Sequence, residues 1–416
     1  MFRYLPLLLL APLLLVVAED KKKPSAKEDG FVPLFDGKTL RGWVPVNVAP
    51  ETFYVKDGML VTTGVPTGFL RTEKRYENFI LECEYMHMKP KGNSGIFVWA
   101  DPLPAVGSPF TRAIEVQVLD GLETPNYTSH GDVFAIWGAT FVPDRPHPNG
   151  WMRCLPSEKR AKPAGQWNHY RIECKDGTIR LAVNGKVVSG GTKAKPRLGY
   201  IALEAEGSEC RFRNLRIKEL PSTKPKPEES CPEAQGHTTL MNAALRYVRT
   251  GGLEDFGLAD SPPQNWTYEP STNELRFASK QEMPRSQLIF PGLPANGEMI
   301  MDVQSPKQTK LVVCIGRLVP PRFWVGLGKS PAYVVGTRTE IKQTAATADK
   351  WQRYVFTHRQ GPGELEVQLH GKTFHKEKAS DNSLWIMIEV EGPAVKLTNL
   401  FVRPLTEKEA AQKEAK

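Results

Sequence analysis

The chain has 416 residues, with 55 Lys and Arg against 46 Asp and Glu, a net charge of +9 and 40% hydrophobic residues. That length supports two or three domains with cores of their own. The basic residues are spread along the chain rather than gathered into a stripe or a recognisable module, which argues against nucleic-acid binding and leaves the charge to solubility.

At the start, Arg3 precedes an apolar run from Leu5 to Ala18, and Val16-Val17-Ala18 stands before a cleavage point near Ala18–Glu19. This reads as a signal peptide over residues 1–18. The run is shorter than the roughly 20 residues a membrane span needs. The chain is therefore expected to be exported, periplasmic or secreted, with no stable membrane span after cleavage. Its six cysteines, Cys83, Cys154, Cys174, Cys210, Cys231 and Cys314, form no CxxC motif. They leave disulfides and buried free thiols equally open.

From residue 31 onwards strand signals dominate. Phe79–Tyr85 is rich in β-formers, Ile114–Val118 alternates apolar and polar, and Tyr170–Cys174 and Ile179–Val183 are separated by Asp176-Gly177. A second turn signal, Asn184-Gly185, closes the latter run. Asp-Gly and Asn-Gly between alternating runs predict tight hairpins, and many short strands joined by such turns predict a sandwich or barrel. Residues 221–236 are Pro-, Lys- and Glu-rich and read as a stiff, extended linker. Helix signals are confined to Thr238–Arg249 and the tail after Leu405.

The two halves resemble each other. Tyr200–Leu220 and Trp385–Leu405 align without gaps, bringing Glu204 onto Glu389, Glu206 onto Glu391, Gly207 onto Gly392 and Asn214 onto Asn399. Trp167-Asn168-His169-Tyr170 matches Trp351-Gln352-Arg353-Tyr354 at nearly the same offset. The second half, 237–405, is expected to be a diverged copy of the first, 31–220, followed by a tail over 406–416.

Candidate site residues follow from strand alternation and from what the two copies do not share. With Ile114, Val116 and Val118 turned to the core, Glu115 and Gln117 share the opposite face, about 7 Å apart. Gly92-Asn93-Ser94-Gly95 allows close backbone approach to a ligand, and Phe97 and Trp99 beyond it are expected on one face as a stacking surface. The irregular stretch Tyr127–Arg160 carries His130, Asp132, Trp137, Arg153 and Glu158. His130 is its best acid–base candidate, because an imidazole titrates near neutrality. Glu204 and Glu206 form a tempting pair. Both recur in the second half, so they rank below Glu115, Gln117 and His130.

Several segments in order resemble the 3-keto-disaccharide hydrolase domain family: Phe31–Trp43, Val55–Leu60, Gly92–Phe97, Glu115–Asp120, Gly165–Asn168, Asn184-Gly185 and Phe212–Ile217. The resemblance spans about 31–220 and implies a concanavalin A-like, laminin-G-like sandwich. The expected architecture is thus all-β, two tandem sandwiches of this kind. The closing strand departs from the family, reading Ala202-Leu203-Glu204-Ala205-Glu206-Gly207 where a Gly-Leu-Gln type followed by His-Gly is common.

The resemblance implies cleavage of glycosides already oxidised at C3, by elimination and hydration. Glu115 or His130 would serve as base or acid, with Gln117, Asn93 and Arg153 stabilising the oxyanion. A divalent metal held by Glu115, Asp132 or His130 is an alternative stabiliser. Trp99, Asp120, Asp132, Trp137, Arg153, Glu158, Asn93 and Glu204 are the expected substrate contacts. The competing expectation is a carbohydrate-binding module without catalysis, since a fold does not fix a function.

Overall fold

The structure is a computed structural model that describes residues 30–120, 131–240, 266–279, 285–291, 293–319, 333–342, 348–379 and 385–411. Residues 1–18, expected to be a signal peptide, and His130 lie outside these residues.

The first half carries β1 (Val32–Pro33), β2 (Trp43–Val46), β3 (Phe53–Lys56), β4 (Met59–Thr62), β5 (Gly68–Thr72), β6 (Phe79–His87), β7 (Asn93–Ala100) and β8 (Ala113–Leu119). It continues through β9 (Val133–Ile136), β10 (Thr140–Pro143), β11 (Arg153–Cys154), β12 (Asn168–Lys175), β13 (Thr178–Val183), β14 (Lys186–Lys195), β15 (Tyr200–Ala205) and β16 (Cys210–Glu219). These strands make a nine-stranded sheet, ordered β10-β14-β13-β12-β6-β16-β4-β3 with β1 beside β16. A seven-stranded sheet, ordered β11-β9-β8-β7-β15-β5-β2, faces it. The hairpins fall where the turn signals stand. Asp176 and Gly177 have φ of 51° and 71°, Asn184 and Gly185 have 46° and 88°, and these are the left-handed pairs that tight hairpins require.

The second half carries β17 (Thr238–Thr239), β18 (Trp266–Glu269), β19 (Glu274–Ala278), β20 (Arg285–Pro291), β21 (Asn296–Gln304) and β22 (Lys310–Val319). Then come β23 (Tyr333–Lys342), β24 (Gln352–Arg359), β25 (Glu364–Leu369), β26 (Lys372–Lys378), β27 (Trp385–Glu391), β28 (Ala394–Pro404) and a short helix α1 (Glu407–Ala411). Its large sheet runs β18-β19-β28-β21-β24-β25-β26, and its small sheet β20-β27-β22-β23. Position for position this repeats β3-β4-β16-β6-β12-β13-β14 and β5-β15-β7-β8 of the first half. The match extends to one backbone detail: Asn214 and Asn399 both have φ of 52° and both sit at a register shift in the closing strand. The halves are two copies of one sandwich.

Each sandwich has its own apolar core. A third apolar cluster joins them, with Phe69, Phe97, Ala113 and Ala202 of the first packed on Ile300 and Phe401 of the second. These are outward-facing residues, because Ile300 lies between the core residues Met299 and Met301. The outer face of the first sandwich's seven-stranded sheet is therefore covered by the outer face of the second's large sheet. Buried polar contacts fix the junction. Asn399 Nδ2 donates to Ala105 O (2.9 Å), Ser108 O (3.1 Å) and Asp302 Oδ2 (2.6 Å). Asn47 Nδ2 donates to Asn399 Oδ1 (2.5 Å).

The repeat explains which faces meet. In the second sandwich the cross-strand row Val355–Ile300–Phe401 is apolar. The matching row of the first is Arg171–Glu82–Arg216, in which both arginines are ion-paired to Glu82.

Two expectations change, and the alternative left open for the cysteines is resolved. The 221–236 segment is extended but docked rather than a free spacer: Cys231 is buried, its N–H donates to Leu198 O (2.7 Å), and Arg197 pairs with Glu229 (3.1 Å). Polar anchoring replaces the apolar contacts its composition lacks. Thr238–Thr239 begins not a helix but a short strand on β28, and 241–249 lies outside the described residues. All six cysteines are buried free thiols.

Candidate active site

The seven-stranded sheet presents a row of outward side chains beside the covered apolar patch. Cross-strand register sets Arg153 opposite Phe134, Phe134 opposite Glu115, and Glu115 opposite Phe97. Two residues from Phe97, Gly95 lies opposite Gln117; on its other side β15 pairs Leu203 with Ile96, which puts Glu204 beside Gly95. The lack of a side chain at Gly95 makes room for two carboxylates. A β-carbon there would stand 2.8 Å from Glu115 Oε1 and 2.9 Å from Glu204 Oε2.

Both carboxylates are buried, Glu115 at 6% and Glu204 at 2% exposure. Burial pushes the Glu115 carboxyl well above the ordinary range; the charges of Glu206 and Asp132 add to this, while Arg153 opposes it. Burial likewise raises Glu204, followed by the charges of Glu115 and Glu206. A side-chain hydrogen bond with Glu206 adds to the upward shift of Glu204. Burial raises Glu206 too, but hydrogen bonds from Glu204 and from Asn93 Nδ2 favour its ionised form. Glu204 Oε2 is buried with no hydrogen-bond partner among the described residues. The arrangement is thus three carboxyls of raised pKa gathered beside Gly95, a pattern suited to moving protons.

Asp132 and Arg153 form a buried ion pair, with Arg153 Nε donating to Asp132 Oδ2 at 2.6 Å. The guanidinium also lies 4.3 Å from the Phe134 ring centroid. Gln117 is buried at the end of the row. Its Oε1 accepts from the Val118 N–H (2.9 Å), and its carbonyl accepts from Tyr170 Oη (2.8 Å).

The structure therefore brings together Glu115, Gln117, Asn93, Asp132, Arg153 and Glu204. Asp120 sits at the end of β8, where its Oδ2 accepts from the Lys91 N–H (3.2 Å) and holds the turn leading to Asn93. Three expected contacts are elsewhere. Trp99 does not share the outer face with Phe97: its φ of 53° breaks the alternation and turns the indole into the core. There Nε1 donates to Glu77 O (2.7 Å). Glu158 is half-exposed and paired with Arg160 (2.9 Å) and Lys186 (2.8 Å). Trp137 is exposed on a separate cleft at the domain junction. His130 falls outside the described residues, and among them no trio of His, Cys, Asp or Glu is arranged to hold a metal ion.

Glu206, which with Glu204 ranks below Glu115 because both recur in the second half, joins the site. The two copies differ at the glycine and at Glu115, and not at the Glu204 and Glu206 positions. In the second sandwich Glu389 faces Val312, a fully buried side chain, where the first has Gly95. The copy keeps the counterparts of Glu204 and Glu206 but has Val312 at the Gly95 position and, by register, Arg338 at the Glu115 position.

The first sandwich is similar to known proteins. Residues 30–218 match the family described as 3-keto-alpha-glucoside-1,2-lyase-like domain. A 3-keto-disaccharide hydrolase of Bacteroides thetaiotaomicron is 25% identical over 243 residues, covering 46% of this chain and 79% of that protein. Among solved structures, a Parabacteroides distasonis protein provisionally described as a glycosyl hydrolase is 22% identical. That match covers 46% of this chain and 94% of the other, with a TM-score of 0.37. The carbohydrate binding module CBM66 from Bacillus subtilis is 10% identical, covering 43% of this chain and 96% of the module, with a TM-score of 0.31.

Proposed function

We propose, from the membership of residues 30–218 in the 3-keto-alpha-glucoside-1,2-lyase-like domain family, that this chain cleaves glycosides carrying a ketone at C3. The observation that carries the reading is the meeting of Glu115 and Glu204 above Gly95. The ketone acidifies the C2 hydrogen. Glu115 removes that proton; it acts in its ionised form, which burial disfavours and the Arg153 charge partly restores. The electron pair passes into an enolate and then expels the aglycone oxygen from C1. Glu204, held neutral by burial and backed by Glu206, supplies the proton to the leaving oxygen. Water adding across the resulting double bond restores the 3-keto sugar, giving net hydrolysis. Arg153 and Asn93 are the donors on hand for the developing oxyanion.

The test incubates the purified chain with a 3-keto-disaccharide and with its unoxidised parent in deuterated water. Monosaccharide released from the keto form only, with deuterium at C2, is the expected result. Equal cleavage of both sugars, or release without C2 exchange, rejects the elimination route. Binding of both with release from neither favours a carbohydrate-binding protein.

A further inference from the structure

A cleft of about 360 Å³ opens where the two sandwiches and their connecting segment meet. Trp137, Asp101, Arg112 and Arg71 line it from the first sandwich, Ala234 from the connecting segment and Arg353 from the second sandwich. Its size is that of a small-molecule site.

Trp137 is 50% exposed, a wide apolar plane left at the surface just beyond β9. Its φ of 49° is unfavourable for so bulky a residue, and such strain persists where the surrounding structure holds it. Beside it Arg112 grips Asp101 with two parallel bonds, Nε to Oδ2 at 2.9 Å and the second nitrogen to Oδ1 at 2.8 Å. The pair stays partly open, with side-chain exposures of 34% and 22%. It offers donors and acceptors side by side on a rigid base, which is what two neighbouring sugar hydroxyls need, each able to give and take a hydrogen bond. The far wall is equally fixed: Arg353 is held by Asp302 (2.7 and 2.8 Å) and donates to Pro104 O (3.0 Å).

The cleft is separate from the carboxylates. Arg112 is three residues from Glu115, about 10 Å along the strand. Between them Ala113 and Ile136 belong to the apolar contact with Ile300 and Phe401. We propose that the junction cleft is a second carbohydrate-binding site, in which one neutral pyranose ring of a glycan stacks on Trp137 and bonds through adjacent hydroxyls to the Asp101–Arg112 pair. The proposal rests on the functional reading above only for the class of ligand. It also gives the second sandwich a task, since that sandwich lacks the glycine-lined space yet completes the cleft.

The experiment titrates the full chain with cellotetraose, maltotetraose and laminaritetraose by calorimetry. Saturable binding of at least one is expected, weakened at least tenfold in Trp137→Ala and in Asp101→Asn and unchanged in Glu115→Gln, with each variant's melting temperature recorded to show that it is folded. Absence of saturable binding by all three, or equal binding by folded Trp137→Ala, overturns the proposal. Loss of binding in Glu115→Gln alone also overturns it, by placing the sugar at the carboxylates. A chain that binds a tetrasaccharide but releases nothing from a keto-disaccharide refutes the reaction and leaves the cleft. Release without tetrasaccharide binding does the reverse.

Discussion

Glu115 Oε1 and Glu204 Oε2 approach the same point, 2.8 Å and 2.9 Å from where a side chain at Gly95 would begin. They come from strands on either side of β7, and only a residue without a β-carbon lets them converge.

Gly95→Ala is the most direct probe of that convergence. The added methyl must displace two buried carboxylates, and an error of this size at a proton-transfer site costs on the order of 10²-fold in rate. We expect turnover of a 3-keto-disaccharide to fall by about that factor, measured as kcat/KM, with circular dichroism showing the sandwich retained.

Removing the proton carriers should act on chemistry rather than binding. Glu115→Gln and Glu204→Gln are each expected to lower kcat by about 10²–10⁴ with little change in KM. Steady-state kinetics on the keto-disaccharide check this. Activity within a few-fold of the parent in both variants would remove these residues from the mechanism.

The same acids make stability depend on pH. The folded state holds the Glu204 proton above the pH at which an ordinary carboxyl, with pKa 4.5, releases it. Across that window the unfolded chain binds fewer protons, so stability falls as pH rises. Glu204→Gln removes this contribution. It should melt higher than the parent at pH 8 and lose its advantage towards pH 4, as thermal scans at the two pH values will show. A buried acid that destabilises its own fold is a feature of functional sites.

Arg153 has two roles that can be separated. Its pairing with buried Asp132 means that Asp132→Asn leaves an unmatched charge, at a cost of about 3–5 kcal/mol in denaturant unfolding. Arg153→Met removes the positive charge that lowers the Glu115 pKa. The acid limb of the kcat/KM profile should then move to higher pH.

The junction should unfold with the sandwiches. Asn399→Ala deletes three buried donated bonds and puts a β-carbon residue other than Asn at φ 52°. A loss on the order of 3 kcal/mol is expected, seen in calorimetry as two separated transitions in place of one.

Much of this was readable in the sequence. The hairpins at Asp176-Gly177 and Asn184-Gly185, the alternation through Glu115 and the duplication all appear in the structure, because each is a local or periodic signal. Trp99 was not readable: alternation assigns it to the face of Phe97, and a single left-handed backbone angle reverses that. Nor was the covering of the site face, which depends on contacts between residues some 200–300 apart in sequence such as Phe97 with Ile300 and Phe401. Comparison of the two halves singles out Glu115, but the role of Gly95 against Val312 needs the cross-strand register, which sequence does not give.

The pairing of a small-sheet face with a large-sheet face has a further consequence. Unlike surfaces meet, so the contact is head-to-tail, and a stack built this way has no symmetry to close it. Another copy could in principle add to the free large sheet of the first sandwich and begin a fibre. The row Arg171–Glu82–Arg216 stands on that sheet where Val355–Ile300–Phe401 forms the contact in the second. Drying three charges without new partners is unfavourable. The ion-paired row therefore disfavours further stacking on that face, as polar terminal repeats do in solenoids.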